Sequence, residues 1–385
     1  MHAIVHALGL AGTMAWNILW ALVFGFALSA MIQAVVRRST IVRALGDHRP
    51  RTLAVATGFG MASSSCSYAS VALARSLFRR GADFTAAMAF EIASTNLVIE
   101  LGVILAILMG WQFTLAEFIA GPLIVVIVAM LFRVVLRTKI LDAAHEQADK
   151  GFAGSMEGHA AMNMSVDGDG GFLTRLFSGK GLTAVSNVFV MEWAATWKDL
   201  AAGLVIAGAI GAWVPDAFWQ GLFLQDNDVV AAIWGPLIGP IVAAFSFVCS
   251  VGNVPLAVVL WTGGISFGGV MAFIFADLLI LPILNIYRKY YGMAMTVRIT
   301  LVFYVAMVTT GYIIEIVFHL LNLIPDPSSA HLPEGGISWN YTTWLNIAAL
   351  ALATSLVVRF LRQGGSPMLS MMGGQPADSG TDGQD

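Results

Sequence analysis

CSYASVALARSLFRRGADFTAAMAFEIA at residues 66–93 and CSVGNVPLAVVLWTGGISFGGVMAFIFA at residues 249–276 align without a gap, and 12 of the 28 positions are identical. The identities include Cys66/Cys249, Ser67/Ser250, Gly81/Gly264, Phe84/Phe267 and Ala93/Ala276. A shared hydrophobic composition does not force a shared Gly or Cys. These are the chain's two cysteines, and each opens its copy at a constant offset of 183 residues. The pairing predicts an internal duplication.

The chain as a whole is 58% hydrophobic and 11% charged, with a mean hydropathy of +0.80. A soluble surface cannot cover that much apolar material, so the sequence predicts an all-α polytopic membrane protein. A membrane helix needs about 20 apolar residues. That requirement predicts spans near 14–36, 85–109, 112–134, 192–214, 267–287, 298–321 and 343–361. Residues 1–13 lack Lys and Arg, and no cleavable leader is expected there. Two cysteines inside apolar segments do not suggest a disulfide framework.

Segments 52–78 and 229–262 are apolar but interrupted at their Cys-Ser pairs, the first by the run Ser63 to Ser67, the second by Cys249 to Pro255. Such interruptions suggest broken helices or re-entrant hairpins, tolerated only where protein or a water-filled cavity surrounds them. Basic residues favour seven full crossings plus two hairpins over nine crossings. If 52–78 enters and leaves on one side, Arg37, Arg51, Arg75, Arg79, Arg80, Arg133, Arg137 and Lys139 all face the cytoplasm. Treating 229–262 alike puts Arg288, Lys289, Arg298, Arg359 and Arg362 there too. Loops 110–111, 215–228, 262–266 and 322–342 carry no Lys or Arg and are expected outside. The expected protein therefore sits in the cell (inner) membrane, with an external N-terminus and a cytoplasmic C-terminus.

Three crossings and one hairpin make an odd unit, so a second copy is expected upside down. Inverted-repeat transporters bind substrate near the midplane, at discontinuous helices between the repeats. The offset also carries the first span onto the one at 192–214, and 112–134 onto about 295–317. The expected organisation is repeat 1 at 1–137, a cytoplasmic linker at 138–190, repeat 2 at 191–321, an external loop and final helix at 322–363, and a disordered tail at 364–385. The linker contains His145, Met156, His159, Met162 and Met164, but their spacing matches no closed zinc pattern.

Expected substrate-binding residues are Ser65, Cys66, Ser67, Cys249, Ser250 and Asn253. A thiolate is a soft ligand for metalloids and soft metals, although a free Cys in apolar surroundings also packs as a small hydrophobe. Ionisable groups inside spans mark pathways or partners, which selects Glu91, Asn96, Asp277 and Asn285. Asp277 aligns with Ser94, one helical turn from Glu91, so each half offers a carboxylate near its Cys-Ser tip. That is what proton coupling would need. Glu100 lies nearer the external end as an interfacial residue, and Glu315 with His319 is expected as a solvated pair.

At these residues the chain resembles the ArsP-type permease family, predicted permeases of which some export organoarsenicals. The resemblance rests on the two Cys-Ser pairs, on Val71-Ala72-Leu73 and Val254-Pro255-Leu256, on Gly81 and Gly264, and on the Ala-Phe segments at 89–90 and 272–273. EGHAAMNMSV at 157–166 and the run at 234–270 match it as well. Where many members have Cys-Ser-Cys, this chain has Tyr68 and Val251 at the third position. The resemblance implies export of a small solute, such as a metalloid, organoarsenical or soft metal species.

The sequence carries no nucleotide-binding pattern, so no cofactor and no nucleic-acid partner is expected; the partners are the lipid bilayer and a small-molecule or ion substrate. An intramembrane enzyme or thiol redox relay is the competing class, against which no Cys-x-x-Cys, HExxH or nucleophile elbow is present. A passive channel is the third reading.

Overall fold

A computed structural model describes residues 2–35, 44–64, 67–79, 81–149, 172–213, 216–223, 228–246, 250–327 and 341–367. The described chain is helical throughout, with no strand among those residues. In order, the helices are α1 (His2–Val35), α2 (Pro50–Ser63), α3 (Ser67–Arg79), α4 (Phe84–Asn96), α5 (Ile99–Leu108), α6 (Trp111–Val135), α7 (Thr138–Asp149), α8 (Phe172–Leu176), α9 (Gly179–Trp213), α10 (Asp216–Phe223), α11 (Asp228–Ala244), α12 (Ser250–Thr262) and α13 (Phe267–Phe275). A 3-10 turn (Ala276–Leu279) follows, then α14 (Leu281–Tyr291), α15 (Met293–Leu320) and α16 (Tyr341–Arg362).

The sequence duplication is repeated in the backbone. Helices α3 and α12 begin at Ser67 and Ser250 and end at Arg79 and Thr262, both at the 183-residue offset. Gly81 and Gly264 follow with φ of 98° and 90°, a left-handed conformation that glycine adopts without steric penalty. Asp83 and Ser266 then cap α4 and α13. The Asp83 carboxylate accepts from the Thr85 and Ala86 amides, at 2.8 and 3.2 Å. The Ser266 hydroxyl accepts from the Gly269 amide at 3.2 Å. Such caps satisfy orphan amides of the first helical turn.

Among the described residues, four helical stretches are long and apolar enough to cross a membrane: Phe84–Leu108, Trp111–Val135, Met293–Leu320 and Thr342–Arg362. Two bent pairs, Ile4–Thr13 with Ile18–Leu28 and Phe267–Leu279 with Leu281–Tyr291, raise the count to six, with bends of 45° and 43°. Beside the Cys-Ser pairs, α2 ends at Ser63 and α3 begins at Ser67, while α11 ends at Ala244 and α12 begins at Ser250. Ser64 ends α2 in a left-handed conformation, its amide donating to the Gly60 carbonyl.

The spans expected as unbroken at 85–109 and 267–287 are each broken instead. The chain leaves helical geometry at Leu97 and Val98, and in the second repeat at the 3-10 turn and Ile280. Leu97 and Ile280 are again 183 residues apart. Pro282 explains the second break, because it lacks an amide donor and its ring clashes with the carbonyl four residues back. In the first, Ser94 and Thr95 direct their hydroxyls at the Glu91 and Ile92 carbonyls, competing with the helical ladder.

Close approach holds the bundle together, since lipid supplies no hydrophobic drive between helices. Helix α1 lies along α9, where a Cβ on Gly208 would come within 2.4 Å of the Ala7 carbonyl. Helix α2 packs on α4 through Gly60, and α11 packs on α13 through Gly239 and Gly269. The expected linker at 138–190 is more structured than its polar composition predicts. Residues 138–149 form α7, which buries Ala144 and Ala148 against α3, α14 and α15. Helix α9 already begins at Gly179 and runs through the expected boundary at 190. His159, Met156, Met162 and Met164 lie outside the described residues.

Candidate functional site: a buried polar cluster where the two repeats cross

Helix α3 opens with Ser67, whose hydroxyl donates to Asp277 Oδ2 at 2.5 Å. The other oxygen, Oδ1, accepts from the Asn96 amide at 2.9 Å. Asn96 Nδ2 also reaches Thr95 Oγ1 at 2.8 Å, and the Thr95 carbonyl accepts from the Ser250 hydroxyl at 3.0 Å. The contacts are crosswise. The first residue of α3, in repeat 1, meets the break of repeat 2, and the first residue of α12, in repeat 2, meets the break of repeat 1. One turn away, the Tyr287 hydroxyl donates to Glu91 Oε1. All of these side chains are buried, and Glu91, Thr95, Asn96, Asp277 and Tyr287 are fully so.

Burial of this many polar groups is costly unless they are paired. Here neutral donors and the positive end of a helix do the pairing, because Asp277 faces the N-terminus of α3, where a helix favours negative charge. Among the described residues no cation joins Glu91 or Asp277 in an ion pair. Glu91 Oε2 and Asn96 Oδ1 have no hydrogen-bond partner among the described residues. The cluster thus keeps acceptor capacity at the point where four helix ends converge. That capacity suits a transferable proton or a passing hydrogen-bond donor.

Glu91, Asn96, Asp277, Ser67 and Ser250, selected from sequence, come together in this one network. Asn253, also selected, is buried on α12 beside it, its Oδ1 accepting from Ser246 Oγ at 3.0 Å, while its Nδ2 has no partner among the described residues. Asn285 lies apart, exposed in a surface groove beside Leu284, Arg288, Met293 and Thr296. Ser65, Cys66 and Cys249 lie outside the described residues; each cysteine immediately precedes the first residue of α3 or α12. Among the described residues, no group of three or more His, Cys, Asp or Glu could hold a metal ion.

Sequence reasoning missed Tyr287 and Thr95. The signal for Tyr287 was its place within an apolar segment, since a buried tyrosine hydroxyl needs a partner. Glu315, expected in a solvated pair with His319, is half-buried; its carboxylate accepts from the Gly268 amide at 2.5 Å, capping α13 from α15, with His319 within electrostatic reach. One expectation about an acidic residue is corrected. Glu100 is 5% exposed, buried among helices rather than interfacial.

The sequence matches the predicted permease family (ArsP_1) over residues 3–316. It is similar to "Putative permease Rv2963" of Mycobacterium tuberculosis (strain ATCC 25618 / H37Rv), with 64% identity over 342 residues, 89% of this chain and 84% of that protein. It is also similar to "UPF0718 protein YraQ" of Escherichia coli (strain K12), with 27% identity over 111 residues, 29% of this chain and 32% of that protein. No solved structure matches the chain.

Proposed function

The chain belongs to the predicted permease family, and on that premise we propose that it is a secondary transporter that exports a small solute along a path through the buried cluster. The observation that carries this reading is the crosswise pairing of Ser67 with Asp277 and of Ser250 with Thr95. A motion of one repeat against the other must break both contacts. Discontinuous helices meeting between two repeats are how secondary transporters form a midplane site, and carboxylates within the bilayer accompany ion and substrate pathways.

In this reading the two repeats are inverted, the N-terminus is external and the C-terminus is in the cytoplasm of a cell (inner) membrane. The basic residues between helices support that orientation. Ser65, Cys66, Cys249 and Asn253, together with Ser67 and Ser250, form the substrate-facing tips, and Glu91, Asn96 and Asp277 form the polar path. Asn285 contributes at the surface groove. A soft, thiol-seeking solute such as a metalloid, organoarsenical or soft metal species fits two thiols at the hairpin tips.

The test is a toxicity and uptake screen in cells expressing wild type, Cys66→Ser, Cys249→Ser, the double variant and Asp277→Asn. The compounds are trivalent metalloids, organoarsenicals, soft metals and hard anions. Wild type is expected to lower accumulation of one class, and Asp277→Asn to abolish that effect. Loss with the double cysteine variant identifies the solute as thiol-seeking. Equal accumulation in all strains for every compound would remove the export reading.

A further inference from the structure

A cavity of about 290 Å³ lies between α1, α2 and the junction of α4 with α5, walled by Gly25, Gly58, Ser64, Leu97 and Glu100 among others. Among the described residues of that wall, Glu100 is the one that is ionisable. It approaches α1 closely, since a Cβ on Gly25 would come within 2.5 Å of the Glu100 Cβ. Behind it, on α6, stands Glu117, fully buried, with neither carboxyl oxygen partnered among the described residues. Its Oε2 rests against α5, 3.1 Å from where a Gly102 Cβ would stand.

Glu117 is within electrostatic reach of Glu100, and Glu100 within reach of Glu192 on α9. Among the described residues no cation acts on Glu100 or Glu117. Helix α1 carries no Lys, Arg, Asp or Glu, α12 none either, and α2 only Arg51 in its first turn. Glu91 on α4 is held by Tyr287. On α15, which packs against α6, Arg298 donates to the Ala294 carbonyl and Glu315 accepts from Gly268. Buried negative charge without a partner is too costly to persist. Something positive must accompany this group.

A metal ion fits poorly, because hard cations take six or more oxygens and the described residues of this wall offer side-chain oxygens only at Glu100 and Ser64. We propose that Glu100 and Glu117 form a proton-loading site, separate from the Ser67–Asp277 cluster, which supplies the ion coupling for the transport proposed above and so rests on that reading. A hydronium in the cavity transfers its proton to a Glu100 carboxylate oxygen, leaving water. A second hydronium protonates a Glu117 carboxylate oxygen, again leaving water, so that in the loaded state neither buried carboxyl carries an unpaired charge. Carboxyl chains of this kind act as proton relays in membrane pumps and transporters.

The test uses the full-length protein in lipid nanodiscs and a hydrophobic carbodiimide, which modifies only protonated carboxyls within the bilayer. Adducts are mapped by peptide mass spectrometry. The expected result is modification at Glu100 or Glu117 that is lost as pH is raised and is unchanged when choline replaces Na⁺. Infrared spectra of Glu100→Gln and Glu117→Gln are each expected to lose intensity in the protonated-carboxyl band. Absence of adduct at both positions with an unaltered band in both variants overturns the site, as does protection by Na⁺ at constant pH. Neither readout needs a substrate. Adduct formation without solute flux in any assay would leave the proton site standing and remove the transport reading, whereas flux without adduct or band loss would do the reverse.

Discussion

Ser67 and Asp277, 210 residues apart, share a 2.5 Å hydrogen bond in which the first residue of one repeat's helix holds the carboxylate at the other repeat's break. Asn96 holds the remaining oxygen. Asp277→Ala removes the acceptor for both, leaving a buried hydroxyl and a buried amide hydrogen without their partner. The expected loss is about 1–3 kcal/mol for each donor left unsatisfied, read as a lower thermal midpoint in detergent. Asp277→Asn keeps the shape and one acceptor oxygen, and is expected to retain most of the stability.

Tyr287 and Glu91 form the second buried pair of the cluster. Because Glu91 Oε2 already has no partner among the described residues, Tyr287→Phe withdraws the hydrogen-bond donor its carboxyl has. A double-mutant cycle with Glu91→Gln should give a coupling energy of about 0.5–3 kcal/mol, the range for residues in one network. Strict additivity in denaturant unfolding would show that the two side chains act independently.

Arg75 anchors α7 to the bundle. Its Nε and Nη2 donate to the Ala148 carbonyl at 3.1 and 2.7 Å, and its guanidinium lies 4.2 Å from the centre of the Tyr290 ring. Arg75→Met should cost about 1–3 kcal/mol through the buried carbonyl it abandons and should speed tryptic cleavage at Lys139. Unchanged cleavage would mean that α7 is held without this side chain.

Gly60 and Gly239 set the spacing of equivalent helix pairs in the two repeats. A Cβ would lie 2.4 Å from the Phe90 carbonyl oxygen at the first and 2.5 Å from that of Gly269 at the second. Both obstacles are backbone, which cannot swing aside. Gly60→Val and Gly239→Val should each destabilise by about 1–3 kcal/mol, the usual cost of overpacking, and reduce the yield of monodisperse protein. A wild-type thermal midpoint in both would show that the helices separate freely.

Much of this arrangement was legible in particular residues. The identities from Cys66/Cys249 to Ala93/Ala276 set one constant offset, and the backbone repeats it at the helix starts Ser67/Ser250, the turn glycines Gly81/Gly264 and the caps Asp83/Ser266. Glu91, Asn96 and Asp277 stood out because polar side chains in apolar stretches need partners. The breaks at Leu97 and Ile280 were not legible in the same way. Each break holds too few polar residues, Ser94 to Asn96 at the first and Asp277 at the second, to pull a 20-residue composition window out of the membrane range, and the Pro282 signal lies past the break itself. Glu117 was hidden because nothing local marks which partner a carboxylate in an apolar helix will meet. Helix α7 was hidden because Ala144 and Ala148 are small, and their face becomes meaningful only when Arg75 donates to the Ala148 carbonyl.

The central claim is that the Ser67–Asp277 contact lies on the transport path and opens alternately to the two sides of the membrane. The direct measurement is reaction of Ser67→Cys, in a Cys66→Ala, Cys249→Ala background, with a membrane-impermeant thiol reagent added to one side at a time of oriented proteoliposomes. Position 67 should react from each side, and an imposed pH gradient should raise reactivity from one side while lowering it from the other. A thiol at position 67 that stays inert from both sides under every gradient would contradict the account and make the cluster a packing feature of the bundle.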